Sequence, residues 1–124
     1  MIVTLTPNTG IDYTLKVPRY SLGETIRANE STWGMGGKAT DAAWILGKLG
    51  VPTAALGFAA GKTGIRMEAM LQEHGVLTDF VQVQGETRLN VVIVCPGEGQ
   101  STFTSSSLLV TNTQSEELLR KFEQ

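Results

Sequence analysis

Residues 34–43 read GMGGKATDAA, so that three glycines and a lysine stand directly before a helical pattern of apolar residues. The apolar residues recur at the i, i+3, i+4 and i+7 spacing of one helix face, as Ala42, Ile45, Leu46 and Leu49. Gly50 then predicts the end of this helix. Glycines before a helix let a ligand approach the backbone, and the unpaired N–H groups and dipole of the first turn attract negative charge. The stretch therefore predicts a seat for a polyol, a phosphate or another anion.

Apolar runs and turn signals in the rest of the chain predict alternating strands and helices. Buried strands are expected at residues 1–6, 53–58 and 80–83. Helices are expected at residues 38–49 and 63–74, the second ending at Gly75, and from a capping box at residues 113–116 onward. This alternation indicates a parallel α/β sheet with right-handed crossovers.

A second group of strands alternates polar and apolar residues, which is typical of a sheet with one wet face. These strands are expected at residues 13–17, 25–33, 89–94 and 101–104, the last two joined by a turn at residues 96–99. They predict a small sheet separate from the parallel one.

Size and composition exclude several classes of protein. At 124 residues the chain is at most one domain, and no segment approaches the roughly 18 consecutive apolar residues of a membrane span. The net charge is −2 without a basic stripe, so we expect neither nucleic acid nor an acidic membrane surface as a partner. The first residues lack the features of a signal peptide, and the single cysteine, Cys95, fits a reducing cytoplasm.

Two nucleotide-binding motifs are matched only in part. Residues 34–39 fit a dinucleotide fingerprint, but residues 54–60 supply no acidic side chain for a ribose. Residues 61–63, Gly-Lys-Thr, match the end of a P-loop, but the first glycine of that motif would fall at position 56, which is leucine. We therefore expect neither motif to act here.

A set of motifs in a fixed order carries a resemblance to a known family. The motifs are MIVTLTPN at residues 1–8, IDYT at 11–14, GETIRA at 23–28, LGVP at 49–52, ALGF at 55–58 and GETRLNV at 85–91. Together with the Gly-Gly-Lys stretch, they resemble the ribokinase-like carbohydrate kinases of the PfkB type, and in particular the 1-phosphofructokinase and tagatose-6-phosphate kinase branch. The resemblance runs from Met1 to about Asn90. It implies a ribokinase-like, Rossmann-type parallel sheet flanked by helices, with a small β-sheet lid over a sugar site.

The resemblance also implies that residues 1–124 are the N-terminal, sugar-binding part of a single kinase domain. Its lid segments would lie at about residues 12–33 and 87–105, with the α/β core elsewhere. Members of the family are more than twice this length, and their second half carries the catalytic aspartate and the ATP pocket. The last predicted helix also reaches Gln124 without a stop signal. We therefore expect a truncated fold that has no catalytic residue and no kinase activity alone.

The residues expected at the sugar are Asp12, Gly36, Gly37 and Lys38. Asp12 follows the first strand, where open α/β sheets place their ligands, and the matching aspartate of the family accepts hydrogen bonds from sugar hydroxyls. An Asx turn after residues 8–10 is the alternative for Asp12. The three residues of the Gly-Gly-Lys stretch match the family's backbone donors and phosphate-attracting ammonium, and a solvated surface lysine is the alternative for Lys38.

Four further residues complete the expected substrate site: Asp41, Arg27, Arg88 and Asn90. Asp41 stands where the family usually has asparagine, and a carboxylate only accepts hydrogen bonds and adds negative charge near a phosphate. Arg27 and Arg88 match arginines that hold the substrate phosphate, for which a guanidinium fork is well suited; an edge-strand charge is the alternative. Asn90 is expected on the same strand face as Arg88, within reach of a sugar hydroxyl.

By resemblance, the complete enzyme transfers the γ-phosphoryl group of ATP to a hydroxyl of fructose 1-phosphate or tagatose 6-phosphate. ATP and Mg²⁺ would belong to that enzyme, and we expect neither to bind to this part alone. The expected partners are the sugar phosphate and a second copy of the chain paired through the β lid. Two alternatives remain open: a truncated, non-catalytic module that binds a sugar phosphate, and a relative that acts on a non-phosphorylated sugar or a nucleoside.

Overall fold

The structure is a computed structural model that describes residues 1–105 and 108–123. In chain order, its strands are β1 (Ile2–Thr6), β2 (Gly10–Lys16), β3 (Glu30–Gly36), β4 (Thr53–Ala59), β5 (Leu77–Gln82), β6 (Gln84–Gly85), β7 (Arg88–Cys95), β8 (Gly99–Thr104) and β9 (Leu108–Leu109). Its helices are α1 (Lys38–Lys48), α2 (Gly61–Glu73) and α3 (Asn112–Glu123). None of the helices in these ranges is long and apolar enough to cross a membrane.

A three-stranded sheet of order β1-β4-β5 is parallel throughout and has helices on both faces. Residues of β4 alternate between two cores, because Ala55 and Ala59 pack with α1 and α2 while Leu56 and Phe58 pack with Leu118 of α3. A strand buried on both faces reads as a continuous apolar run, which explains the sequence TAALGFA. The predicted parallel sheet flanked by helices is confirmed.

A four-stranded sheet of order β3-β2-β7-β8 is the predicted small sheet. The strand β2 pairs antiparallel with β3 and parallel with β7, and β7 pairs antiparallel with β8. One face of this sheet carries Ile11, Met35 and Leu89, which pack into the core formed with α1 and α2. The other face carries Asp12 and Asn90, since side chains alternate along each strand.

The predicted strand at residues 25–33 is wrong in its first half. The strand β3 begins at Glu30, and residues 17–29 connect it to β2 without regular structure. The reason is the length of the neighbouring strand: β2 ends at Lys16, whose carbonyl accepts the N–H of Asn29 (2.7 Å). Residues before Asn29 therefore have no strand opposite them in the described sheet.

The apolar face predicted for α1 is not the face that packs inward. Ile45 and Leu49 are 48% and 72% exposed, whereas Thr40 and Ala43 are buried. The inward face continues to Gly47, where a Cβ atom would lie 2.5 Å from Cγ2 of Val76. Small residues thus let α1 approach its neighbours closely, and hydrophobicity alone does not reveal that face.

The capping box of α3 lies two residues earlier than predicted. The N–H of Gln114 donates to Oγ1 of Thr111 (3.2 Å), and the N–H of Thr111 donates to Oε1 of Gln114 (2.9 Å). The predicted box at residues 113–116 fits the same Thr/Ser-x-x-Glu/Gln pattern. Because the amide of Gln114 also donates to the carbonyl of Gln82 (3.4 Å), the earlier box ties α3 to β5.

Candidate functional site

The pairing of β2 with β7 brings two polar side chains together on one sheet face. Asp12 stands opposite Asn90, and Gly10 stands opposite Arg88, so all four residues share that face. The side-chain amide of Asn90 donates to Oδ1 of Asp12 (2.8 Å), and Asn90 is buried while Asp12 is half-buried. This bond orients the Asp12 carboxylate, whose other oxygen remains a strong acceptor for a hydroxyl group.

Two glycines bring the first turn of α1 against this pair. A Cβ atom on Gly36 would lie 3.0 Å from Oδ1 of Asp12 and 3.2 Å from Nδ2 of Asn90. Gly37, the N-cap of α1, has φ of 84°, and a Cβ atom there would lie 2.9 Å from Cγ2 of Thr6. No described side chain caps α1, so its first N–H groups remain available to a ligand beside Asp12.

Asp41 is close enough to Asp12 for the two carboxylates to influence each other. Asp41 lies in the first turn of α1, where its N–H donates to the carbonyl of Gly37 (2.9 Å). Burial, and after it the negative charge of Asp12, raise the pKa of Asp41. Two neighbouring carboxylates form a site that accepts hydrogen bonds, which suits a ligand with several hydroxyl donors.

Arg88, a half-buried cationic residue, lies at the same end of the sheet. Its Nε atom is buried and has no hydrogen-bond partner in residues 1–105 and 108–123. A Cβ atom on the facing residue Gly10 would lie 3.2 Å from that Nε, so glycine leaves room for the guanidinium. A guanidinium stays charged in proteins, and an unpaired buried N–H is costly, so the geometry favours an anionic acceptor.

Two buried hydroxyls near the start of α1 were missed by the sequence reasoning. The Oγ1 atoms of Thr6 and Thr40 are buried and find no partner within the described part of the chain. Thr6 ends β1 and Thr40 lies in the first turn of α1, on either side of Gly37. The available signal was a polar residue at an inward position of a helix whose inward face is built from small residues.

Lys38 directly follows Gly37 at the edge of this group, whereas Arg27 stands apart from it. Lys38 is exposed at the first position of α1, and Arg27 is exposed in the connection of residues 17–29. That connection leaves β2 at Lys16, at the end opposite Gly10, which is about 20 Å away at the rise of an extended strand. The structure therefore brings Asp12, Gly36, Gly37, Asp41, Arg88 and Asn90 into one region, and it does not bring Arg27 there.

A family model supplies the decisive comparison. The model for the pfkB family of carbohydrate kinases matches residues 5–124. The chain belongs to this family. The ribokinase-like fold expected from the sequence motifs, with its small second sheet, is thereby confirmed for this PfkB chain.

Individual relatives agree with the family assignment. The PfkB chain is 33% identical to a 1-phosphofructokinase of Borreliella burgdorferi over 97 residues, which cover 78% of the chain and 32% of that relative. It is 30% identical to a D-tagatose-1-phosphate kinase of Bacillus licheniformis over all 124 residues, which cover 40% of that relative. A crystal structure of a possible 1-phosphofructokinase from Thermotoga maritima superposes with a TM-score of 0.89 at 28% identity, covering 99% of the chain and 40% of that protein. The chain thus spans a third to two fifths of the length of these relatives.

Proposed function

We propose that this PfkB chain is the sugar-phosphate-binding part of an ATP-dependent kinase that phosphorylates a hydroxyl of a ketohexose phosphate. One observation carries the proposal: the Asp12–Asn90 pair, the uncapped start of α1 and the unpaired Nε of Arg88 meet at one end of the small sheet. A sugar phosphate offers hydroxyl donors to the carboxylates and an anion to the helix start and the guanidinium. Two of the relatives named above are a 1-phosphofructokinase and a D-tagatose-1-phosphate kinase, which supports this substrate class.

In this proposal the sugar lies between the small sheet and α1. Asp12, held by Asn90, accepts a hydrogen bond from one hydroxyl, and Asp41 accepts one from a second. The backbone of Gly36 and Gly37 faces the sugar in this proposal. A Cβ atom at Gly36 would crowd Asp12, and one at Gly37 would crowd Thr6. Lys38 and Arg88 supply positive charge for the phosphate. Fixing the acceptor hydroxyl in this way is a large part of catalysis in phosphoryl transfer.

The segments at about residues 12–33 and 87–105 act as the lid in this proposal. Arg27 belongs to the lid, yet its segment joins the sheet beside Lys16, which is about 20 Å from Gly10 along the strand. Its contact with a phosphate therefore requires a lid movement or a second copy of the chain. A homodimer through the lid is supported by exposed aromatic side chains on the sheet, since Trp33 and Phe103 are 37% and 53% exposed.

In this proposal, ATP and Mg²⁺ bind to the complete kinase and not to this part alone. Kinases of this family use both. The part of the chain that the structure describes has no group of three His, Cys, Asp or Glu side chains that could hold a metal ion. We assign the proton acceptor for the hydroxyl to the portion that relatives have beyond this chain. A cytoplasmic location belongs to the same proposal.

A non-catalytic module that binds a sugar phosphate is the second candidate function. The observation in its favour is Asp41, a carboxylate beside Asp12 at a position where the kinases of the family usually have asparagine. The two candidate functions differ in catalytic turnover. Under the first, a protein that contains this chain and has the full length of its relatives phosphorylates a ketohexose phosphate with ATP. The 124-residue chain alone is expected to show no such activity in either case.

The direct experiment compares phosphate preference in two arginine variants. Calorimetric titration of the Arg88→Gln chain with fructose 1-phosphate and with fructose should show that the preference for the phosphate falls about tenfold or more. Arg120→Gln is the matched control, because Arg120 is exposed on α3, which packs on the other face of the three-stranded sheet. An undiminished preference in Arg88→Gln would remove Arg88 from the site. A lack of any phosphate preference in the unsubstituted chain would instead leave the non-phosphorylated sugar or nucleoside as substrate.

A further inference from the structure

Glu86, just before β7, caps the N-terminus of α2. Its Oε1 atom accepts the backbone N–H of Thr63 (2.7 Å). The carboxylate also lies so close to Gly61 that a Cβ atom on that residue would overlap it, and Gly61 has φ of 65°. Hydrogen bonds from Thr63 and Lys62 lower the pKa of Glu86, so it stays ionised opposite the positive end of the helix dipole. Glycine at position 61 is therefore explained by the presence of the Glu86 carboxylate.

Thr87 makes a second, buried connection one residue later. Its N–H donates to the carbonyl of Ala60 (2.9 Å), and its Oγ1 accepts the N–H of the same residue (2.9 Å). The side chain is completely buried, and a Cβ atom on Gly64 would lie 3.0 Å from its hydroxyl. Thr87 thus pairs in both directions with the residue that precedes α2.

These two contacts stand immediately before the residues that face the substrate region. Arg88 is the next residue and begins β7 opposite Gly10, and Asn90 follows two positions later opposite Asp12. The chain also passes between the two sheets around Thr9, whose hydroxyl donates to the carbonyl of Phe58 (2.6 Å), through Gly37, and between β8 and α3. Residues 86–87 are the crossing that leads directly into β7, the strand that carries both Arg88 and Asn90.

We propose that Glu86 and Thr87 are positioning residues that fix the start of β7 on α2, and so hold the Arg88 guanidinium and the Asn90 amide beside Asp12. We call these two residues the β7 latch. The identity of the ligand rests on the proposed function. The effect of the latch on the positions of Arg88 and Asn90 does not depend on that identity. A shift of well under an ångström at this point moves both side chains together, because they lie on one rigid strand.

The test uses Thr87→Val, which keeps the shape of the side chain and removes the hydroxyl. Thr87→Ser restores the hydroxyl, and Thr53→Val is the matched control, because the buried hydroxyl of Thr53 donates to the carbonyl of Val51 (2.8 Å) at the opposite end of the parallel sheet. Binding of fructose 1-phosphate is measured by calorimetry, and the side-chain amide of Asn90 and the Nε–H of Arg88 are followed by NMR. Glu86→Gln is the milder variant if Thr87→Val does not fold.

For Thr87→Val we expect about tenfold weaker binding and shifted Asn90 and Arg88 side-chain signals. Thr87→Ser should return both to nearly the original values, and Thr53→Val should lower the melting temperature without changing either. Glu86→Gln should weaken binding by about threefold and move the same NMR signals, because the neutral amide is a poorer acceptor at the helix start.

Two results would overturn the proposal. One is a folded Thr87→Val or Glu86→Gln chain with unchanged Asn90 and Arg88 signals, and the other is an equal loss of binding in Thr53→Val. If the unsubstituted chain binds no sugar phosphate, the proposed function fails separately. The NMR signals need no ligand, so in that case they still decide whether the latch positions Arg88 and Asn90.

Discussion

The side-chain amide of Asn90 donates a 2.8 Å hydrogen bond to the carboxylate of Asp12, although 78 positions separate the two residues in the chain. The bond exists because β2 and β7 pair in parallel with Asp12 opposite Asn90. It keeps the carboxylate in one orientation at the edge of the substrate region, beside Gly36. The predictions below start from this pair.

Replacing Asp12 by alanine should weaken the binding of fructose 1-phosphate by about 2 kcal/mol or more, which is about a 30-fold rise in Kd. The change removes the acceptor for a sugar hydroxyl and leaves the amide of Asn90 without its partner. Calorimetric titration measures the effect, with Asp79→Ala as the control because Asp79 is an exposed carboxylate paired with Lys121. An unchanged Kd in Asp12→Ala would limit Asp12 to its structural hydrogen bond with Asn90.

Alanine at Gly36 should weaken binding by about tenfold, since the added Cβ atom would lie 3.0 Å from Oδ1 of Asp12 and displace the Asp12–Asn90 pair. Ser31→Ala in the same strand is the control, because Ser31 is exposed and stands opposite Leu15, away from Asp12. Titration of both variants with fructose 1-phosphate tests the close approach of the backbone to the sugar. Equal affinities for the two variants would argue that no ligand lies against Gly36.

Asparagine at position 41 should raise stability at neutral pH and lose that advantage in acid. Burial and the charge of Asp12 raise the pKa of Asp41 above its ordinary value of 3.8, so the folded chain binds this proton more tightly than the unfolded chain does. The stabilising contribution of protonated Asp41 is complete below that value and is lost as the pH rises through the raised pKa. Urea unfolding from pH 3.5 to 7.5 should therefore show a difference between Asp41→Asn and the unsubstituted chain that grows with pH. A difference that stays constant with pH would contradict the raised pKa.

Alanine at Gly61 should destabilise the chain more than alanine at Gly75. Both glycines have positive φ, of 65° and 78°, so each substitution costs about 1 kcal/mol in backbone strain. Only at Gly61 would the new Cβ atom also push away the Glu86 carboxylate, whereas the space at Gly75 is open. Urea unfolding measures the two losses, and their difference reports the contribution of Glu86. Equal losses would mean that Glu86 does not hold the start of α2.

The sheets and helices were largely predictable because their signals are local. Periodicity and glycine punctuation located α1 within one residue of its observed end, and Gly75 ends α2 as expected. The start of α3 was ambiguous, because Thr111 with Gln114 and Thr113 with Glu116 fit the same capping pattern, and only the contact of Gln114 with β5 decides between them.

The composition of the candidate site was less predictable, because it depends on register and close packing. The family motifs singled out Asp12, Gly36 and Asn90, but the sequence does not show that Arg27 lies at the far end of β2, since that follows from the pairing of Lys16 with Glu30. The unpaired hydroxyls of Thr6 and Thr40 were hidden for a different reason. Their burial results from the small residues that bring α1 close to the sheet.

The most direct measurement is a calorimetric titration of the 124-residue chain with fructose 1-phosphate, tagatose 1-phosphate and unphosphorylated fructose, in the same buffer. Binding of at least one of the two phosphates about tenfold or more tighter than fructose is the predicted result, because the start of α1 and the guanidinium of Arg88 offer an anion site beside Asp12. Equal affinity for fructose and both phosphates, or binding of none of the three by the folded chain, would contradict the assignment of a sugar-phosphate site.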